Sequence, residues 1–203
     1  MRLPLDIDSI KGFLDPEEGS ALYRYALEAS VLGPCLEIGS YCGKSTIYLG
    51  QACKETGQVL FALDHHRGSE EHQPGEEYHD PALFDDRYAV MDSFPLFRKT
   101  ISEASLEDTV VPVVARSNVA ARAWKTPLAM VFIDGGHSLE TAVSDFESWS
   151  PQLLTGGLLA IHDIFPDPDQ GGQAPYIIWK KALASGLFQE AGRVKTLGVL
   201  KRL

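Results

Sequence analysis

The chain has six histidines, at positions 65, 66, 72, 79, 137 and 162, and carboxylates stand beside most of them. Asp64 precedes His65, Asp134 stands three residues before His137, and Asp163 follows His162. Imidazole exchanges a proton near neutral pH and ligates divalent metals. Carboxylates bind cations and accept from hydroxyls. Such pairs suit either a general base or a metal site. A second segment, 37-EIGSYCGKS-45, suits a ligand instead. Gly39 and Gly43 let a ligand approach the backbone, and Ser45 at a helix start can meet a carboxylate. This is not a dinucleotide fingerprint, since Tyr41 stands where GxGxxG needs glycine. It is not a P-loop either, because Ile38 takes the first glycine position. Glu37 would repel phosphates, so an acid-lined turn suits a ligand carrying an ammonium and a sulfonium. Asp64 follows at strand–helix–strand spacing, where a carboxylate can hold a ribose diol or simply cap the strand.

The elements that must position these residues are legible as a pattern. Asp15-Pro16-Glu17-Glu18 reads as a helix start within an N-terminal helical segment, residues 1–32, that Gly33-Pro34 stops. Short apolar runs at 35–38, 59–63, 109–115, 128–133 and 158–161 read as buried strands separated by helices, hence a parallel sheet covered on both faces. A helix over 138–153 is predicted from Ser138 as cap, Ala142, Phe146, Trp149 and Leu153 on one face, and Gly156-Gly157 as its end. Residues 187–202 read as strand, turn, strand, an antiparallel hairpin that finishes the sheet. Ligands of open α/β sheets lie beyond the carboxyl ends of the strands. Every histidine falls at such an end or in the irregular loop at 65–91, which is expected to be a lid.

At this point the residues resemble a family. EIGSYCGKS is similar to the first motif of the catechol-type, metal-dependent class I O-methyltransferases. The runs 133-IDGGH-137 and 156-GGLLAIHD-163 resemble the macrolide-sugar O-methyltransferases. The resemblance spans roughly 33–203. It implies an α/β, Rossmann-like three-layer sandwich whose seven-stranded, mostly parallel sheet ends in the hairpin, with residues 1–203 as one domain. It also implies S-adenosylmethionine as cofactor. Gly39, Tyr41 and Ser45 would hold its amino-acid end, Asp64 its ribose, and Ser117 its adenine, although Ser117 also reads as a helix cap. Glu37, Ser40, Gly43, His65 and Asp134 complete the expected cofactor set. By position, Asp134, His162 and Asp163 would bind a divalent metal, and His137 would be the base that deprotonates a hydroxyl acceptor. His162 departs from the acid usual at its position, which tilts the preference from magnesium towards manganese, iron or zinc. Adjacent strand residues point to opposite faces, so His162 and Asp163 need not reach one ion. The segment 165-FPDPDQGGQAPY-176 is a candidate lining for the acceptor, or a polar connection with turn chemistry.

Two other readings stay open. Histidines 65, 66, 72 and 79 with Asp80 could build a metal hydrolase, and the fold could serve a non-catalytic binding protein. With 28 acids against 18 bases and a formal charge of −10, nucleic acid is not an expected partner. No apolar run is long enough to span a bilayer, the start carries acids rather than a signal peptide, and three cysteines form no CxxC pair. A cytoplasmic protein acting on a small-molecule methyl acceptor is the expectation. A homodimer would suit a lid that needs a partner surface, but no residue demands one.

Overall fold

The computed structural model describes residues 2–69, 75, 79–136 and 138–203. Helix α1, Pro16–Ala29, begins where Asp15 caps it: the Glu17 backbone N–H donates to Asp15 Oδ1 at 2.8 Å. Strand β1, Cys35–Ile38, leads into α2, Lys44–Thr56, and then β2, Leu60–Asp64. A two-stranded hairpin, β3 (Phe84–Asp85) and β4 (Val90–Met91), precedes α3, Phe94–Glu103. Then come β5 (Val110–Val114), α4 (Ser117–Ala121), β6 (Leu128–Ile133), α5 (Leu139–Trp149) and β7 (Leu153–Ile161). The chain closes with α6, Ala174–Ala184, and the hairpin β8 (Phe188–Val194) and β9 (Leu197–Arg202).

The main sheet has seven strands in the order β5-β2-β1-β6-β7-β9-β8. Neighbours pair in parallel as far as β7, and β9 lies antiparallel to both β7 and β8. This is the seven-stranded, hairpin-ended sheet that the sequence led us to expect. Alternation along the strands builds two cores. Cys35, Met130, Phe132, Leu158 and Ala160 face α1, α2 and α3, whereas Leu36, Ile38, Val131, Ile133, Leu159 and Ile161 face α5 and α6. Strand order reverses at β1, which lies between β2 and β6, so the crevice opens there.

One expectation fails. Helix α5 stops at Trp149, followed by one 3-10 turn at Ser150–Gln152, and Leu153 already belongs to β7. Gly156 and Gly157 therefore lie inside a strand. Here β7 changes register against β6, and a Cβ on Gly157 would lie 2.8 Å from the Ala129 carbonyl oxygen. Close backbone approach, not helix termination, requires that glycine. In the expected lid, residues 70–74 and 76–78 lie outside the described residues. The remainder is more ordered than its sequence implies, carrying a 3-10 turn at Pro81–Leu83 and the β3–β4 hairpin.

Candidate active site

The turn after β1 is held by backbone contacts that only particular residues allow. Gly39 has φ +93°, and a Cβ there would lie 2.1 Å from the Asp134 carbonyl oxygen. Its lack of a side chain lets the ends of β1 and β6 meet. Gly43, with φ +96°, is the N-cap residue of α2 and supplies no side-chain cap. The first turn of α2 therefore opens into the crevice without a side-chain acceptor, a place that favours an anionic group.

Glu37 is fully buried on the face towards α2. Both its oxygens accept, from Ser45 Oγ at 2.5 Å and Thr46 Oγ1 at 2.6 Å. Burial pushes its carboxyl up to about 8, the two hydroxyls work against that rise, and the charges of Asp134 and Asp64 add to it. The Ser45 hydroxyl is thus turned inward to Glu37. Asp64, at the end of β2, orients two backbone groups: Tyr41 N–H donates to Oδ2 at 2.9 Å and His66 N–H to Oδ1 at 2.7 Å. Each carboxylate oxygen keeps a second lone pair for a ligand. Tyr41 adopts φ +44°, and burial raises its phenol. Ser40 is buried, and its Oγ has no hydrogen-bond partner among the described residues.

His65 and His66 diverge although adjacent. His65 accepts from Arg67 N–H at 3.1 Å through Nδ1. His66 is buried between Phe94 and Phe97, with Nδ1 2.8 Å from Ser93 Oγ. Burial lowers its pKa against the opposing charges of Asp64 and Asp92. Asp80 pairs with Lys11. The described members of the proposed hydrolase set therefore form no metal-capable group, and His72 lies outside the described residues. Ser117 opens α4 rather than capping it, the cap position being Arg116. Its hydroxyl accepts from Trp149 Nε1 at 2.7 Å and bonds to buried Asp145, whose carboxyl burial raises to about 6.

At the ends of β6 and β7 the structure brings Asp134, His162 and Asp163 together, with one ligand atom from each within 4.8 Å of the others. Strand β7 ends at Ile161, and Asp163 has φ +57°. This left-handed residue breaks the strand alternation, so neighbouring side chains converge. His162 Nδ1 lies 3.0 Å from Asp134 Oδ1 and 3.5 Å from Asp163 Oδ1. Its Nε2 lies 2.9 Å from Glu18 Oε2. Burial opposes a charge on the ring, but Asp134, Asp163 and Glu18 together overturn it and raise the pKa well above the ordinary histidine value. Glu18 is the residue that sequence reasoning missed as part of the site. Its only sequence signal was an acid in the first turn of a helix. His137 lies outside the described residues. In the 165–176 segment, Asp167 accepts from Asp169 N–H at 3.1 Å, a local turn, while Trp179 further along α6 is buried in the core.

Residues 36–164 match the family described as methyltransferase domain. This chain belongs to the methyltransferase-domain family. Solved methyltransferases share its fold. The O-methyltransferase NovP superposes with a TM-score of 0.68 at 14% identity, covering 92% of this chain and 79% of its own. The O-methyltransferase TomG of Streptomyces achromogenes, solved in complex with SAM, gives 0.65 at 16% identity, covering 94% and 81%. An O-methyltransferase of Bacillus cereus in complex with SAH gives 0.65 at 16%, covering 94% and 83%. The family match ends at Ile164, so α1, α6 and the β8–β9 hairpin lie outside it.

Proposed function

We propose that this chain transfers a methyl group from S-adenosylmethionine to a hydroxyl of a small molecule. The observation that carries this reading is the uncapped start of α2 at the strand-order reversal, with Asp64 at the end of the neighbouring strand β2. The cofactor's carboxylate suits that helix end, and its ribose diol suits Asp64. Its positive charge suits the carboxylates at the ends of β2 and β6 rather than Glu37, which is buried against Ser45 and Thr46. Gly39, Ser40, Tyr41 and Gly43 shape the turn, and Ser45 braces it through Glu37. We assign His65, Ser117 and Asp134 to the rest of the cofactor site by their places after β2, β5 and β6.

Asp134, His162 and Asp163 fit a divalent ion. Two carboxylates and an imidazole form a mixed nitrogen–oxygen donor set. One ligand atom from each lies within 4.8 Å of the others, so the three side chains would hold one ion together. When bound, the ion would supply the positive charge that makes an acceptor hydroxyl more acidic. The protein's own part is to aim the acceptor at the sulfonium methyl and to receive its proton. We assign the proton to His137, three residues beyond Asp134, on its chemistry and its place in the chain. A neutral imidazole accepts a proton near pH 7.

Calorimetric titration with S-adenosylmethionine and S-adenosylhomocysteine tests the cofactor. Micromolar binding is expected, and no heat or thermal shift at millimolar concentration would overturn the reading. With a panel of phenols and sugar hydroxyls as acceptors, H137A should lower turnover by about 10²–10⁴-fold with cofactor affinity nearly unchanged. Undiminished turnover would remove His137 from its role.

A further inference from the structure

The fold gives the two ring nitrogens of His162 different surroundings. Nδ1 faces Asp134 and Asp163, while Nε2 faces Glu18, 144 residues earlier in the first turn of α1. Both partners are buried, Glu18 to 3% exposure and His162 to 6%. The other oxygen of Glu18 is fastened to the β8–β9 turn. Oε1 accepts from the Thr196 backbone N–H and hydroxyl, both at 2.7 Å, and from the Leu197 N–H at 3.1 Å. A carboxylate held by three donors on one oxygen cannot swing away from the ring that meets its second oxygen.

We propose that Glu18 is a positioning residue of the site. It holds the Nε2–H of His162, which turns Nδ1 towards Asp134 and Asp163 as the ring's donor atom for a divalent ion, binding of which displaces the Nδ1 proton to solvent. This rests on the cation site proposed above. A carboxylate behind a ligating imidazole sets its tautomer and ring orientation, and loss of such a partner costs about 10–100-fold in metal affinity. An ionised carboxyl buried this deeply is unfavourable without partners, and the described hydrogen-bond partners of the Glu18 carboxylate are His162 and the two residues that hold it against His162. Glu18, Thr196 and Leu197 all lie outside the region that matches the family. The affinity of the site for its ion therefore depends on how α1 and the terminal hairpin dock.

The test is a double-mutant cycle, with manganese chloride titrated calorimetrically into wild type, E18Q, H162A and E18Q/H162A. E18Q keeps the side-chain volume, but its NH2 must face either the His162 N–H or the Thr196 and Leu197 donors. E18Q should weaken manganese binding by about 10–100-fold in wild type and change nothing further in the H162A background. Affinity for S-adenosylhomocysteine, measured alongside, should stay within about twofold in all four proteins. If Glu18 only packs α1, E18Q will weaken manganese equally in both backgrounds or weaken the nucleoside as well, and either result overturns the proposal. Wild-type manganese affinity in E18Q overturns it while leaving the cation site standing. No manganese binding by wild type removes the cation site and this inference together, with nucleoside binding still reporting on the methyltransferase reading.

Discussion

Glu37 is a carboxyl without water around it, and its titration follows from that. Its pKa of about 8 stands above the ordinary value of 4.5. Between those values the folded protein holds a proton that the unfolded chain has released. Stability from this group therefore falls as pH rises from about 4.5 to about 8, by roughly 1.4 kcal/mol for each pH unit crossed. Urea midpoints of wild type should drop across this window more steeply than those of E37Q, which has no titrating group there. Equal slopes would show that Glu37 stays ionised throughout. Asp163 shows a different kind of residue-scale effect. Neighbouring strand residues diverge, yet its φ of +57° brings it beside His162, and nothing in the letters His-Asp announces a left-handed backbone.

Among the elements, the β1–β6 seam is the least tolerant of change. A methyl group on Gly39 meets backbone atoms of Asp134 and Gly135, which cannot move aside as a side chain can. G39A should cost at least about 3 kcal/mol by urea unfolding. G43A meets only the side chains of Thr100 and Phe97, so it should lose about 1–3 kcal/mol, chiefly from its positive φ. Similar losses in the two variants would count against the seam argument. The elements themselves were largely legible, because capping residues and apolar periodicity are local signals. Asp15 and Ser138 cap α1 and α5 as their sequences imply. The start of β7 was not legible, since Gly156-Gly157 reads as a helix stop until the neighbouring strand is known. Likewise Ser117 reads as a cap, and only the arrival of Trp149 and Asp145 from α5 gives its hydroxyl other work.

At the scale of the molecule, β1 and β6 are central strands covered by helices on both faces, whereas β5 and β8 are the edges. Native-state hydrogen exchange should follow that order. Amides of β1 and β6 should exchange only through global unfolding, and those of β5 and β8 first. Early exchange in β1 would mean that the crevice strands open independently of the sheet. Among the described residues no helix is long and apolar enough to cross a membrane.

By itself the sequence determined the succession of strands and helices, the glycine turn after the first strand, and the acids and histidines at strand ends. Each of these depends on neighbours within one or two turns of chain, where periodicity, caps and turn residues act. Only the tertiary structure decided which groups face each other. Glu37 turns to Ser45 and Thr46 instead of the crevice, Asp163 joins His162 through one left-handed residue, and Glu18 reaches that histidine across the chain. Such contacts depend on helix docking and strand order, which no local window of residues encodes.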